Sequence, residues 1–323
     1  MRKNFILIFL SLFTMLFSQN NKLEGRWILD KETELDGNLL PINDFNFSRY
    51  EDYKFMSNKM EISGMEVPVT ISSNKIKTPG LEFGYEFKDE YLILRNTNKI
   101  LWLLRPQSFI QLYPEFQPKE INIDGRIVYH ENVIFTADFN YKGGFTKYLQ
   151  DFLMNYHDFP NGKNQSIIEF VITKNSKIEN VKILKSISTD FDSKLILHLK
   201  KGEKLFQNST GTDVFYRKIN SFINEDGPKS GLSKEDRTVV KIFEKGNGYY
   251  LKNDFKKAVE SYEQIGTLNS INNSMILETL YIRLGVSYLA NENFPGACES
   301  FNKAGGLTNF KTRNYIINFC NKK

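Results

Sequence analysis

Gly246-Asn247-Gly248-Tyr249, followed by Ala258 and Tyr262, recurs as Gly285-Val286-Ser287-Tyr288, Ala297 and Phe301 with identical internal offsets. The second copy adds Tyr281 and Leu284 before its glycine and Ala304 after its aromatic residue. The copies are 39 residues apart, and the polar stretch Asn269-Ser270-Ile271-Asn272-Asn273-Ser274 between them reads as a loop. A small residue at Gly246 or Gly285 lets the second helix of a pair approach the first. Ala258 and Ala297 do the same from the other side, and the aromatic residues fill the wedge. The last third of the chain is therefore expected to be paired helices, closed by a further helix over about Asn309–Phe319.

The spacing resembles the tetratricopeptide helix–turn–helix repeat, whose usual period is about 34 residues. The resemblance implies that Gly246, Ala258, Gly285 and Ala297 are structural. It places a partner-binding concave face on Phe243, Asn247, Tyr250, Leu251, Ile282, Val286 and Leu289. Such faces take extended peptides or partner helices.

At the other end, Arg2 and Lys3 precede an apolar run from Phe5 to Phe17 broken only by Ser11 and Thr14. As a helix the run spans roughly 20 Å, short of a hydrocarbon core of roughly 30 Å. A charged start, a short apolar centre and Ser18-Gln19 read as a secretory signal over 1–19, with an uncleaved anchor as the alternative. The expected location is the periplasm or the outer membrane, or outside the cell. Membrane association is then expected only through partners or an uncleaved signal.

The 323 residues suggest two or three domains. A formal charge of +5, with lysines scattered along the chain, argues against nucleic acid as a partner. Both cysteines, Cys298 and Cys320, lie in the helical tail, where a disulfide after export and a pair of buried thiols are both open.

The middle of the chain reads as an α+β unit. A double glycine, Gly143-Gly144, precedes a helical run over Phe145–Tyr156 ending near Pro160. A β-branched strand follows at Ile167–Ile172, then a period-two strand at Ile178–Ser186, a helix from Asp190 to about Lys201, and a last strand over Thr212–Phe222. This order resembles the C-terminal domain of TonB-type energy transducers over residues 137–225. The resemblance implies two helices on a three-stranded antiparallel sheet, with a free edge on the last strand at Asp213, Phe215, Arg217 and Ile219. The chain lacks the family's Trp-x-Pro-Gly ahead of that strand, and its Pro/Lys-rich spacer.

Residues 20–106 carry short strands punctuated by Asp36-Gly37-Asn38, Ser57-Asn58, Ser63-Gly64, Ser72-Ser73-Asn74, Pro79-Gly80 and Asn96-Thr97-Asn98, a pattern for a small antiparallel barrel. Gly25-x-Trp27 at its start and Arg105 at its end resemble lipocalin-like domains, which implies that the arginine packs over the tryptophan. Phe47, Tyr50, Tyr53, Phe55, Phe83, Tyr85 and Phe87 are expected to fill the interior. Residues 107–136 read as a linker ending in strands, at Ile121–Ile123 and Ile127–Tyr129, that belong to either neighbour. Residues 226–323 hold the repeats.

Nothing in the chain has the spacing of a catalytic or metal motif. His130, His157 and His198 are far apart, with no ligand partner at metal spacing. The acidic pair Asp30/Glu32 reads as solvated charge. The expectation is a multidomain α+β protein that is not an enzyme and needs no cofactor. It would be an exported scaffold binding envelope proteins or extended peptides. A barrel carrying a small apolar ligand, or a TonB-type component of outer-membrane transport, are the alternatives.

Overall fold

The computed structural model describes residues 22–156, 165–221, 234–266 and 274–320. The expected export segment, His157, Pro160, Phe222 and residues 269–273 of the inter-repeat loop lie outside the described residues. The chain is mixed α+β, with eight helices among the described residues. It parts into two compact units: residues 1–53, 69–105 and 229–323, and residues 54–68 and 106–228.

Nine short strands make one antiparallel sheet: β1 (Gly25–Glu34), β2 (Asp52–Phe55), β3 (Lys59–Ile62), β4 (Met65–Pro68), β5 (Thr70–Ile71), β6 (Lys75–Thr78), β7 (Leu81–Lys88), β8 (Tyr91–Arg95) and β9 (Lys99–Leu104). Their order is β4-β3-β2-β1-β9-β8-β7-β6-β5. First and last strands pair, and the two edges, β4 and β5, are consecutive in the chain, so the sheet is nearly closed and barrel-like. Each turn signal read from the sequence sits between two of these strands. The exception to the short connections is Leu35–Glu51, between β1 and β2.

Gly25 opens β1 with φ +102°, and a Cβ there would stand 2.7 Å from Nη1 of Arg105. Arg105 lies over the Trp27 ring at 3.9 Å and donates from Nη2 to the Lys22 carbonyl. Trp27 donates in turn to the Leu23 carbonyl. Tyr53, Phe83 and Tyr85 are buried, as are Leu29, Leu94 and Leu103. Phe47 and Tyr50, expected inside the barrel, are not there. Both lie in the long β1–β2 connection, off the period-two pattern that turns strand residues inward. Phe47 belongs to a helical core cluster, and Tyr50 meets Phe310 edge-on at 4.9 Å.

In the second unit, α1 (Pro106–Leu112) leads to a hairpin of β10 (Glu120–Ile123) and β11 (Arg126–His130). Then come β12 (Asp138–Phe139), α2 (Gly144–Met154), β13 (Gln165–Ile172), β14 (Ile178–Lys185), α3 (Thr189–Gly202), β15 (Phe206–Gln207) and β16 (Val214–Ser221). The larger sheet here has the order β10-β11-β16-β13-β14, and β12 pairs with β15. Period-two alternation divides its faces. Ile168, Phe170 and Ile172 of β13, with Val214 and Tyr216 of β16, pack in one core with Leu149 of α2 and Phe191, Leu195 and Leu199 of α3. Val128, Val171 and Phe215 form a smaller cluster on the other face. Ser188 caps α3 by accepting from the Phe191 amide.

The rest of the first unit is helical: α4 (Lys234–Tyr250), α5 (Phe255–Gly266), α6 (Ser274–Ala290), α7 (Phe294–Lys303) and α8 (Phe310–Tyr315), continued by a wider turn over Ile316–Cys320. A Cβ on Gly246 would stand 2.4 Å from the Tyr262 ring, and one on Gly285 2.5 Å from the Phe301 ring. Both hairpins thus close on a glycine–aromatic contact. Cys298 and Cys320 form a disulfide with Cα atoms 5.7 Å apart.

Candidate interaction surfaces

The proposed concave-face residues have different fates. Val286 and Leu289 are buried in one cluster with Leu40, Phe47, Phe301 and Tyr315. Phe243, Ile282 and Tyr250 are half-buried, and the Arg283 guanidinium lies 5.3 Å from the Tyr250 ring centre. Asn247 accepts from the Tyr262 hydroxyl at 2.7 Å. Burial pushes that phenol up to about 12. Leu251 alone of the seven is open, at 73 % exposure. Near it, Asn43 donates to Asn253 at 2.8 Å. Leu251 and Phe45, which is 85 % exposed, each stand two residues from that hydrogen bond. Phe45 gives no sequence signal, since it belongs to no periodic element.

The proposed sheet edge is partly covered. Phe215 is buried, and β11 runs parallel to the start of β16, with Tyr129 opposite Val214 and His130 opposite Phe215. The Asp213 and Phe215 carbonyls accept from the Tyr129 and Glu131 amides. The Asp213 carboxylate takes the Lys174 amide at 2.7 Å and the Arg126 guanidinium at 3.2 Å. The covering strand comes from the stretch read as a linker, which is why the sequence left this edge open. Beyond it, Arg217 pairs with Glu169 across β13, and Ile219 is 59 % exposed.

Asp30 and Glu32 correct the reading of solvated charge, since both are buried. The register of β1 against β9 shifts between Leu29 and Lys31, at Asp30. Its carboxylate accepts from the Tyr91 hydroxyl at 3.0 Å and from Arg313 Nη1 at 3.1 Å. Arg313 is 1 % exposed and also donates to the Asp30 carbonyl. Glu32 accepts from Arg49, which also reaches Glu51, and the Tyr53 hydroxyl donates to Glu51. Burial pushes the Glu32 carboxyl up against the opposing pull of Arg49, and pushes the Tyr53 phenol well up. Every one of these groups has its partner inside the chain, as in a structural network.

Gly84, Glu86, Ile93 and Arg95 lie on one face of β7 and β8 and, with Asn74 and Tyr85, border an open groove of about 470 Å³. His198 stacks on Tyr148 at 4.0 Å, and its Nε2 lies 3.2 Å from the Tyr148 carbonyl. Burial holds its imidazole below the ordinary value. Gly143 and Gly144 both have positive φ at the start of α2. Among the described residues there is no group of three or more His, Cys, Asp or Glu side chains able to hold a metal ion, and no helix long and apolar enough to cross a membrane. Compared with known proteins, the chain matches no family model, and no curated protein matches it.

Proposed function

We propose that this protein is a non-catalytic, exported scaffold that binds other envelope proteins or extended peptides. Tetratricopeptide-like hairpins would present one surface, and the uncovered end of a TonB-C-like sheet at Arg217 and Ile219 the other. The observation that carries the reading is the high exposure of two apolar side chains, Leu251 and Phe45, each two residues in sequence from the hydrogen bond that joins Asn43 to Asn253. The hydrogen bond joins the two segments that carry them, and a contiguous exposed apolar patch marks an interaction site. Two weak sites on one chain gain avidity when a partner engages both. The TonB-type transport role has no observation that favours it. For the ligand-carrier reading, the buried Tyr53, Phe83 and Leu94 count against an apolar cavity in the barrel.

The test is capture from cell-envelope extract by the full chain and by a Phe45→Asp/Leu251→Asp variant of unchanged circular dichroism. A protein retained by the first and lost by the second is the expected result. Equal retention by both would remove the helical surface from the proposal, and no retention by either would sink the scaffold reading.

A further inference from the structure

The β1–β2 connection is the anomaly of the nine-stranded sheet. Neighbouring hairpins turn in two or three residues, as at Asp89-Glu90 or Asn96–Asn98, whereas this one runs from Leu35 to Glu51. Long connections in compact units usually have a task of their own. Here the bridge between Thr33 and Leu39 ends the strand pairing, and residues 40–50 belong to no strand. Residues 40–48 shape themselves by two turns, Asp44 N–H to the Pro41 carbonyl at 2.8 Å and Phe47 N–H to the Asp44 carbonyl at 3.0 Å.

That self-shaped segment is seated on helices as a ligand would be. Leu40 and Phe47 are 2 % and 4 % exposed and share a core with Val286, Leu289 and Phe301. The Phe47 ring stacks on Tyr315 at 4.5 Å, and Tyr315 stacks on Phe301 at 4.7 Å. Two of the polar grips fall on main-chain carbonyls and others on the Ser48 hydroxyl and the Asn43 side chain. Asn314 Nδ2 donates to the Phe47 carbonyl at 3.1 Å, and the Tyr315 hydroxyl donates to the Ile42 carbonyl at 2.7 Å. The Asn314 amide donates to Ser48 Oγ at 3.2 Å. One ion pair, Lys99–Asp44 at 3.0 Å, ties the middle of the segment back to β9. Two apolar anchors with gripped carbonyls at Ile42 and Phe47 make a recognition pattern that another chain can satisfy.

We propose that the face built from α6, α7, α8 and the disulfide-tethered C-terminal turn is a binding face for a turn-forming segment bearing a leucine and a phenylalanine. In the free protein, residues Leu40–Ser48 occupy that face in cis. The inference rests on the scaffold reading and names the chemistry of one of its partners. Occupation in cis lowers the apparent affinity for an outside segment by the fraction of time the face is open.

The test uses the full oxidised chain and a variant in which residues 40–48 are replaced by a Gly/Ser stretch of equal length. The probe is a fluorescent peptide copying residues 38–50, read by anisotropy. The replaced chain is expected to bind it saturably and at least about tenfold more tightly than the unaltered chain. A peptide carrying Leu40→Asp and Phe47→Asp is expected not to bind. Equal, weak binding by both chains, with native circular dichroism, would overturn the proposal and make the segment a strap only. Should the replaced chain not fold, hydrogen exchange on the unaltered protein decides. Protection of the Phe47 and Asn314 amides at least about tenfold below that of β9 is expected, and equal protection would overturn the proposal. Loss of capture by Phe45→Asp/Leu251→Asp together with no peptide binding would leave the scaffold standing and this inference refuted.

Discussion

Gly246 and Gly248 lie two residues apart in α4, and the structure sets them entirely different conditions. A Cβ on Gly246 would lie 2.4 and 2.6 Å from two carbons of the Tyr262 ring, while one on Gly248 meets nothing within 4 Å. Replacing either by alanine gains the same helix propensity, about 1 kcal/mol, so the difference between the variants isolates the contact. Relieving it means shifting a ring that is 1 % exposed and hydrogen-bonded to Asn247, or parting α4 from α5. Overpacking of this kind costs ~1–3 kcal/mol. Gly248→Ala is therefore expected to stabilise, and Gly246→Ala to fall about 1–3 kcal/mol below it. Urea unfolding of both variants, followed by far-UV circular dichroism, measures the difference. Gly285→Ala should repeat the result in the second hairpin, where the Phe301 ring is the obstacle. Equal stabilities for Gly246→Ala and Gly248→Ala would refute the glycine–aromatic packing and the repeat register read from it.

Reducing the Cys298–Cys320 disulfide, which closes a separation of 22 residues, is expected to cost about 3 kcal/mol by loss of the loop constraint on the unfolded chain. The paired Cys298→Ser/Cys320→Ser variant should melt like the reduced protein and ignore reductant; an oxidised protein whose melting is also indifferent to reductant would contradict this. His198, whose imidazole burial holds below its ordinary value, binds a proton more readily in the unfolded chain. Its contribution to the second unit is therefore full above about pH 6.5 and falls as the pH drops from there toward its folded value. His198→Leu should flatten the stability profile just below about pH 6.5, and an unchanged slope would count against this origin.

The strand turns and both helical hairpins were legible because each rests on local signals, such as Ser57-Asn58 or Gly285 paired with Phe301 by spacing. What escaped were pairings between distant stretches. Asp30 and Glu32 read as solvated because Arg313 and Arg49 come from far along the chain or from an irregular loop. Phe47 read as barrel filling because an aromatic residue between strands carries no periodic mark of the face it serves. The β16 edge read as open because the strand that covers its start lies in a proline-containing stretch resembling a linker. Val286 and Leu289 were legible as an apolar face, but what covers them was not, since Leu40 and Phe47 precede them by more than two hundred residues.

The sheet and the C-terminal helices are one structural unit, and Arg313 tests that most directly. Both tryptophans, Trp27 and Trp102, are in the sheet, while Arg313 is in α8 and pairs with Asp30 at 1 % and 4 % side-chain exposure. Breaking a buried pair by removing one partner costs about 3–5 kcal/mol. For a unit of this size that lowers the melting midpoint by about 6–20 °C. The measurement is thermal unfolding of Arg313→Met followed by tryptophan fluorescence. A tryptophan transition lowered by that amount, in step with the helical signal, is the expected result. An unchanged tryptophan transition, with only the helical signal destabilised, would contradict it and leave sheet and helices as separate modules.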